Sequence, residues 1–144
     1  KKLLTKKNLI LPSDVLVTTR LDGSASVRVV APHLVGSRDY IVDVGTATMR
    51  EFAVRIKKAK TLVWNGPVGL CEVRRFSHGS MVLGRAIASK ASGPAFGVVG
   101  GGETVACLEE TGMAEYVDHV SLGGGAMLDF IGGTSRPVID ALKK

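Results

Sequence analysis

The stretch Phe96-Gly-Val-Val-Gly-Gly-Gly-Glu-Thr-Val-Ala106 constrains this chain more than any other. Phe96 to Val99 is a short apolar run that reads as a buried strand. Three glycines follow, Gly100 to Gly102, and then Glu103 to Glu110 carries a helical pattern that stops at Gly112. Strand, glycine turn and helix together form a grammar for holding phosphate. Glycine lets the backbone approach an anion closely, and the first N–H groups of a helix have no intrahelical partner. The same grammar recurs with Val117 to Leu122 as strand, Gly123-Gly124-Gly125 as turn and Ala126 to Ile131 as helix. A third strand, Thr61 to Trp64, runs into Asn65-Gly66-Pro67-Val68-Gly69. Glycines also serve merely to turn corners, so a single such loop would say little. Three of them predict a cluster of loops along the carboxyl edge of a parallel sheet, where ligands bind in open α/β folds.

At 144 residues the chain, 1–144, reads as a single domain with room for a core. Its 18 glycines follow no three-residue period, which excludes a collagen-like or low-complexity fibre. Aromatic content of 5% argues against the stacking platforms of single-stranded nucleic-acid binders. The net charge of +6 comes partly from terminal lysines and from Lys57, Lys58 and Lys60 at a helix end, so it reads as a solvated basic face. It also suits an anionic substrate. No nucleic-acid partner is expected. No apolar run is long enough to span a bilayer and no signal peptide is visible, so no membrane partner is expected either. Cys71 and Cys107 lack metal-ligand spacing and suggest no disulfide framework. Cys107 is expected to pack as a small apolar residue in a reducing, cytoplasmic setting.

The remaining elements follow from pattern. Asp14 to Thr19 and Ser26 to Ala31, separated by Leu21-Asp22-Gly23-Ser24, predict a hairpin. Tyr40 to Val44 is strand-like. Thr48 with Glu51 has the spacing of a capping box, and Met49, Phe52, Ala53 and Ile56 give one apolar helical face. Strand, helix and then the Thr61 strand predict a βαβ crossover within one parallel sheet. Ser77 is a candidate N-cap for a helix whose face holds Leu83, Ala86 and Ile87 and which stops at Ser92-Gly93-Pro94. Beyond Gly132-Gly133, Val138, Ile139 and Leu142 are candidate anchors for a short tail.

Several chemistries are excluded by what is missing. There is no Walker-type glycine-lysine loop, no dinucleotide fingerprint and no serine nucleophile elbow. His33, His78 and His119 are isolated, as befits surface or capped residues rather than ligands. Two carboxylates stand out. Glu103 opens a helix after a triple glycine, where it either caps the helix or holds Mg²⁺ beside bound phosphate. Glu72 follows a loop, where it either accepts hydrogen bonds from ribose hydroxyls or is simply exposed. Asn65 is a neutral polar residue at a strand end, suited to a phosphate or to a turn.

Taken in order, Trp64-Asn-Gly-Pro-Val-Gly-Leu-Cys-Glu72, Val99-Gly-Gly-Gly-Glu-Thr104 and Ser121-Leu-Gly-Gly-Gly-Ala126 resemble the nucleotide-binding half of the phosphoglycerate kinases. Leu11-Pro12 before the Val15 strand, Asp43-Val44-Gly45, and Arg136-Pro-Val-Ile-Asp-Ala-Leu142 fit the same family. The resemblance covers nearly the whole chain but only the later part of a two-domain protein. It implies an α/β fold: a three-layer, Rossmann-like parallel sheet with helices on both faces, forming an incomplete carboxy-terminal domain. The implied activity is reversible phosphoryl transfer between 1,3-bisphosphoglycerate and MgADP, giving 3-phosphoglycerate and MgATP. ATP or ADP and Mg²⁺ are thus the implied cofactors, and the implied parent is a monomeric, cytoplasmic glycolytic enzyme.

Carried onto this chain, the resemblance gives Glu72 the nucleotide ribose. Asn65, Gly66 and Pro67, with the rest of the loop to Gly69, line the nucleotide pocket. Gly101, Gly102 and Thr104 lie against the phosphates, Glu103 takes the metal, and Gly123, Gly124 and Gly125 face the phosphoryl group in flight. Four departures accompany it: Glu103 for the usual aspartate, Leu122 for a threonine, Cys71 for a common phenylalanine, and Gly45-Thr46-Ala47 for Gly-Pro-Lys. The family's substrate patch and catalytic arginine belong to an amino-terminal domain outside these residues. The acceptor 3-phosphoglycerate would therefore bind only with that domain present, and no turnover is expected from the 144 residues alone. A non-catalytic nucleotide-binding or interaction module with retained glycine loops is the alternative. An unrelated dehydrogenase-type domain is a third reading, which the missing fingerprint disfavours.

Overall fold

In the computed structural model, which describes residues 5–133 and Ala141, the strands divide between two three-stranded sheets. The first is antiparallel, in the order β2-β1-β3, with β1 Val15–Thr18, β2 Val27–Val30 and β3 Tyr40–Val44. The second is parallel, in the order β4-β5-β6, with β4 Thr61–Asn65, β5 Phe96–Gly100 and β6 His119–Ser121. The α-helices that accompany them are α1 Thr46–Lys58, α2 His78–Ala91, α3 Gly102–Glu110 and α4 Gly124–Ile131.

The expected hairpin is present as β1 and β2, and the two glycine units are present as β5-α3 and β6-α4. The expected crossover is not formed. The unit β3-α1-β4 does not close a parallel pair, because β3 forms its ladder antiparallel to β1 while β4 pairs with β5. Local pattern identifies strands but not their partners. Here β3 takes the edge of β1 left open by the hairpin, and Leu70 N–H meets Val42 O at 2.9 Å on the far side of β3. The parallel crossovers are instead β4-α2-β5 and β5-α3-β6.

Alternation along the parallel strands sets the layers. Parallel register pairs Trp64 with Val99 and Val99 with Val120, so these three side chains share one face. That face carries the core: Trp64, Ile87, Ala88, Val99, Val105, Cys107 and Leu108, with Ile56 and Leu62 packed on it. Helices α1, α2 and α3 therefore cover it, with α2 packed against both α1 and α3. Burying each large apolar side chain stabilises by about 1.5–3 kcal/mol, so this cluster outweighs any single polar contact in the domain. Val63 and Phe96 lie on the opposite face and are about half exposed. Helix α4 reaches that side, since a Cβ placed on Gly100 would come 2.5 Å from Met127 Cε.

Two aspartates bind the antiparallel sheet to the helices. Thr48 does not cap α1 as its spacing with Glu51 suggests, because the helix begins at Thr46 and Thr48 lies inside its first turn. The cap comes from Asp14, ahead of β1: Ala47 N–H donates to its Oδ2 at 3.0 Å and Thr48 N–H to its Oδ1 at 2.8 Å. Burial raises the Asp14 pKa, but the Thr48 hydroxyl and the two N–H donors outweigh it and leave the carboxyl below its ordinary value. Ser77 occupies the N-cap position of α2, yet its hydroxyl donates to Arg74 O. Gly79 N–H in the first turn donates instead to Asp43 Oδ2 at 2.7 Å. Burial pushes the Asp43 carboxyl above its ordinary value, against the pull of the Gly79 and Val44 N–H groups and of nearby His78. The tail anchors Val138, Ile139 and Leu142 lie outside the described residues.

Candidate nucleotide site

The parallel register places Asn65, Gly100 and Ser121 side by side at the carboxyl ends of β4, β5 and β6. The three glycine loops therefore begin at one edge. Gly101, the residue before α3, has φ +90, which side chains strongly disfavour and glycine accepts. From there α3 starts at Gly102, and Val105 N–H closes the first helical bond to Gly101 O at 2.9 Å. The N–H groups of Gly102, Glu103 and Thr104 thus precede the intrahelical ladder and are free of it.

Helix α4 begins against this turn. A Cβ placed on Gly124 would lie 2.6 Å from Gly101 N and 2.9 Å from Asn65 Oδ1. One missing side chain thereby lets all three loops meet, and the amino ends of α3 and α4 share one location. Two helix amino ends at one place favour negative charge.

Every backbone N–H of the β4 loop is accounted for. Gly66 N–H donates to Thr104 Oγ1 at 2.7 Å. Pro67 has no N–H to satisfy. Val68 and Gly69 N–H both donate to Ser80 Oγ, at 3.0 and 3.1 Å, and Leu70 N–H donates to Val42 O. Trp64 Nε1 donates across the turn to Gly66 O at 2.9 Å. The loop is held before any ligand arrives. Thr104 is buried, and its hydroxyl serves the loop.

The two singled-out carboxylates face a common cleft of about 330 Å³, lined by Cys71, Glu72, Gly102, Glu103, Ala106, Cys107 and Glu110. Glu72 and Glu103 are exposed, so both are available to solutes. A larger hollow of about 660 Å³ also touches Glu72 and adds Arg74, Ser77, His78, Met81 and Arg85. No group of three or more metal-ligating side chains occurs among the described residues. Glu103 fits Mg²⁺ in another way, because that ion is usually held by one or two carboxylates together with substrate phosphates.

A profile of the phosphoglycerate kinases matches residues 1–134. The chain belongs to the phosphoglycerate kinase family. A phosphoglycerate kinase from Coxiella burnetii superposes with a TM-score of 0.82 at 37% identity, over 93% of this chain and 34% of that one. The enzyme from Pyrococcus horikoshii gives 0.74 at 34% identity, over 92% and 32% respectively. The chain thus spans about a third of the length of the solved structures it matches.

Within this family frame, the structure brings together Asn65, Gly66, Gly101, Gly102, Thr104, Gly123, Gly124 and Gly125 at the sheet edge, with Pro67 in the pinned loop. Glu72 and Glu103 lie on the adjoining cleft. Leu122 is 89% exposed beside that edge. Two features of the site escape sequence reasoning. Ser80 is fully buried two residues into α2, and nothing in its local pattern announces that its oxygen serves a loop 12 residues earlier. Cys71 and Cys107 are joined as a disulfide, which corrects the expectation of two unpaired cysteines. Cys107 does pack in the core as expected, with no exposed surface. The bond forms because the fold brings Cα atoms 36 residues apart to within 6.1 Å, a separation that spacing in sequence does not reveal.

Proposed function

We propose that this chain forms the nucleotide side of a phosphoglycerate kinase, catalysing reversible phosphoryl transfer between 1,3-bisphosphoglycerate and MgADP to give 3-phosphoglycerate and MgATP. The observation that carries this reading is the meeting of three glycine loops at one sheet edge, with the amino ends of α3 and α4 beside them. Phosphoryl transfer asks for positioned fixed dipoles more than for covalent chemistry, and this edge supplies them.

In this reading Glu72 accepts hydrogen bonds from the ribose hydroxyls. Asn65, Gly66 and Pro67 wall the nucleotide, and the pinned N–H groups of their loop keep that wall in place. The free N–H groups of Gly102, Glu103 and Thr104 take the nucleotide phosphates, with Gly101 allowing close approach. Gly123, Gly124 and Gly125 present the start of α4 to the transferring phosphoryl group. Glu103 would hold Mg²⁺, which neutralises phosphate charge when bound. Its extra methylene relative to aspartate sets the carboxylate farther from the helix. The acceptor belongs to the complete enzyme, for which we infer a monomer working in the cytoplasm. No helix among the described residues is long and apolar enough to cross a membrane.

Calorimetry with MgADP on the chain, and on Glu103→Ala and Glu72→Ala, tests this. Weaker binding in both variants is expected. Failure of the folded parent chain to bind would overturn the reading in favour of a non-catalytic interaction module.

A further inference from the structure

The disulfide lies on a turn closed by Val73 N–H, which donates to Leu70 O at 3.1 Å with Cys71 and Glu72 as its two central residues. Residues 66 to 70 are held by Thr104, Ser80 and Val42, and the chain is anchored again at Phe76, which is fully buried. Cys71 and Glu72 fall between these anchors. Cys107 stands one helical turn after Glu103 on α3. The bond Cys71–Cys107 therefore ties the segment bearing Glu72 to the helix bearing Glu103, and both sulfur-bearing residues line the cleft between the two carboxylates. It is the chain's one disulfide, since the sequence has two cysteines.

We propose that Cys71–Cys107 is a reversible thiol–disulfide latch that sets nucleotide affinity by holding Glu72 against α3; its effect on affinity rests on the nucleotide reading above. The two sulfurs differ in access. Cys107 is wholly buried, whereas Cys71 is partly exposed at the cleft. Arg74 and Arg85 share the adjoining hollow with Cys71 and bring positive charge near it, alongside Glu72 and Glu110. Exchange thus begins at Cys71. One thiolate of an incoming dithiol attacks Cys71 Sγ, the bond to Cys107 breaks, and Cys107 leaves as a thiolate that takes a proton. The dithiol's second thiolate then attacks its own sulfur in the mixed disulfide and expels Cys71 as a thiolate, which is protonated in turn. The dithiol loses two electrons and two protons and becomes a cyclic disulfide; each cysteine gains one of each. In the cytoplasm such bonds are usually transient and redox-sensing, which suits a latch better than a permanent staple.

The test uses the full chain and a Cys71→Ser/Cys107→Ser variant, poised in oxidised or dithiothreitol-reduced buffer. Maleimide labelling read by intact mass should give no labels in the oxidised native chain and two after native reduction and unfolding in the presence of label. Free thiols under oxidising conditions would overturn the proposal, as would a bond that dithiothreitol cannot open without unfolding. MgADP calorimetry should show at least threefold weaker binding after reduction, with no redox response in the double variant. Equal affinity in both states would also overturn it. If neither state binds MgADP, the nucleotide reading fails by itself, and amide exchange of residues 65–76 then decides the latch. Faster exchange on reduction supports it, and unchanged exchange sinks it.

Discussion

Replacing Ser80 by alanine removes a single oxygen from a fully buried position, and that oxygen accepts two N–H groups, from Val68 and Gly69. Leaving a buried N–H unsatisfied costs about 1–3 kcal/mol. Both donors here are only partly buried, so the low half of that range applies to each, about 1–2 kcal/mol. Alanine returns about 0.5 kcal/mol through its higher helix propensity, because position 80 lies in α2. The net loss over the two donors is about 1.5–3.5 kcal/mol. For a chain of 144 residues the entropy of unfolding is about 0.3 kcal/mol/K, so the melting temperature should fall by about 5–12 °C. Thermal unfolding followed by circular dichroism measures this. Amide exchange gives the local readout: the Val68 and Gly69 amides should exchange faster, while the Gly66 amide, held by Thr104, should change less. A drop below about 2 °C with unchanged Val68 and Gly69 exchange would show that the Ser80 oxygen does not hold the loop.

Three further substitutions probe the frame. Asp14→Ala removes the long-range cap of α1 and should cost about 1–2 kcal/mol at neutral pH. Because the Asp14 carboxyl is lowered in the fold, its contribution is present above the unfolded value of 3.8 and lost as pH falls through the folded value. Denaturation in urea at pH 7 and again at pH 2.5 should therefore show the gap between parent and variant shrinking in acid; an equal gap at both would rule out the ionised cap. Gly101→Ala forces a side chain onto φ +90 and should cost about 1–3 kcal/mol, whereas Gly102→Ala, with open space at its Cβ, should be near neutral. Similar melting temperatures for the two would refute the strained-turn account.

The glycine units are legible because their signals are local. An apolar run, a turn that needs glycine and a helical period lie within about fifteen residues of one another, and β5-α3 and β6-α4 begin within two residues of the pattern. Asn65 to Gly69 is legible for the same reason. What escapes is whatever depends on distant partners. Asp14 caps a helix 33 residues later, Asp43 caps one 36 residues later, and Cys71 finds Cys107 across the same span. Each of these residues looks unremarkable beside its neighbours. The pairing of β3 with β1 belongs to the same class, since alternation shows that a strand exists and leaves its neighbour open. Thr48 and Ser77 mark helix starts to within three residues, yet the carboxylates that do the capping are Asp14, just ahead of β1, and Asp43, within β3.

The most direct test of the central claim is to map MgADP onto the backbone amides by nuclear magnetic resonance, titrating the nucleotide into the labelled chain. The largest shifts should fall at Gly101, Gly102, Glu103, Gly124 and Gly125 and in residues 65–72, with the β1–β2 hairpin unmoved. A well-dispersed spectrum whose shifts fall elsewhere, or do not appear at millimolar nucleotide, would contradict it.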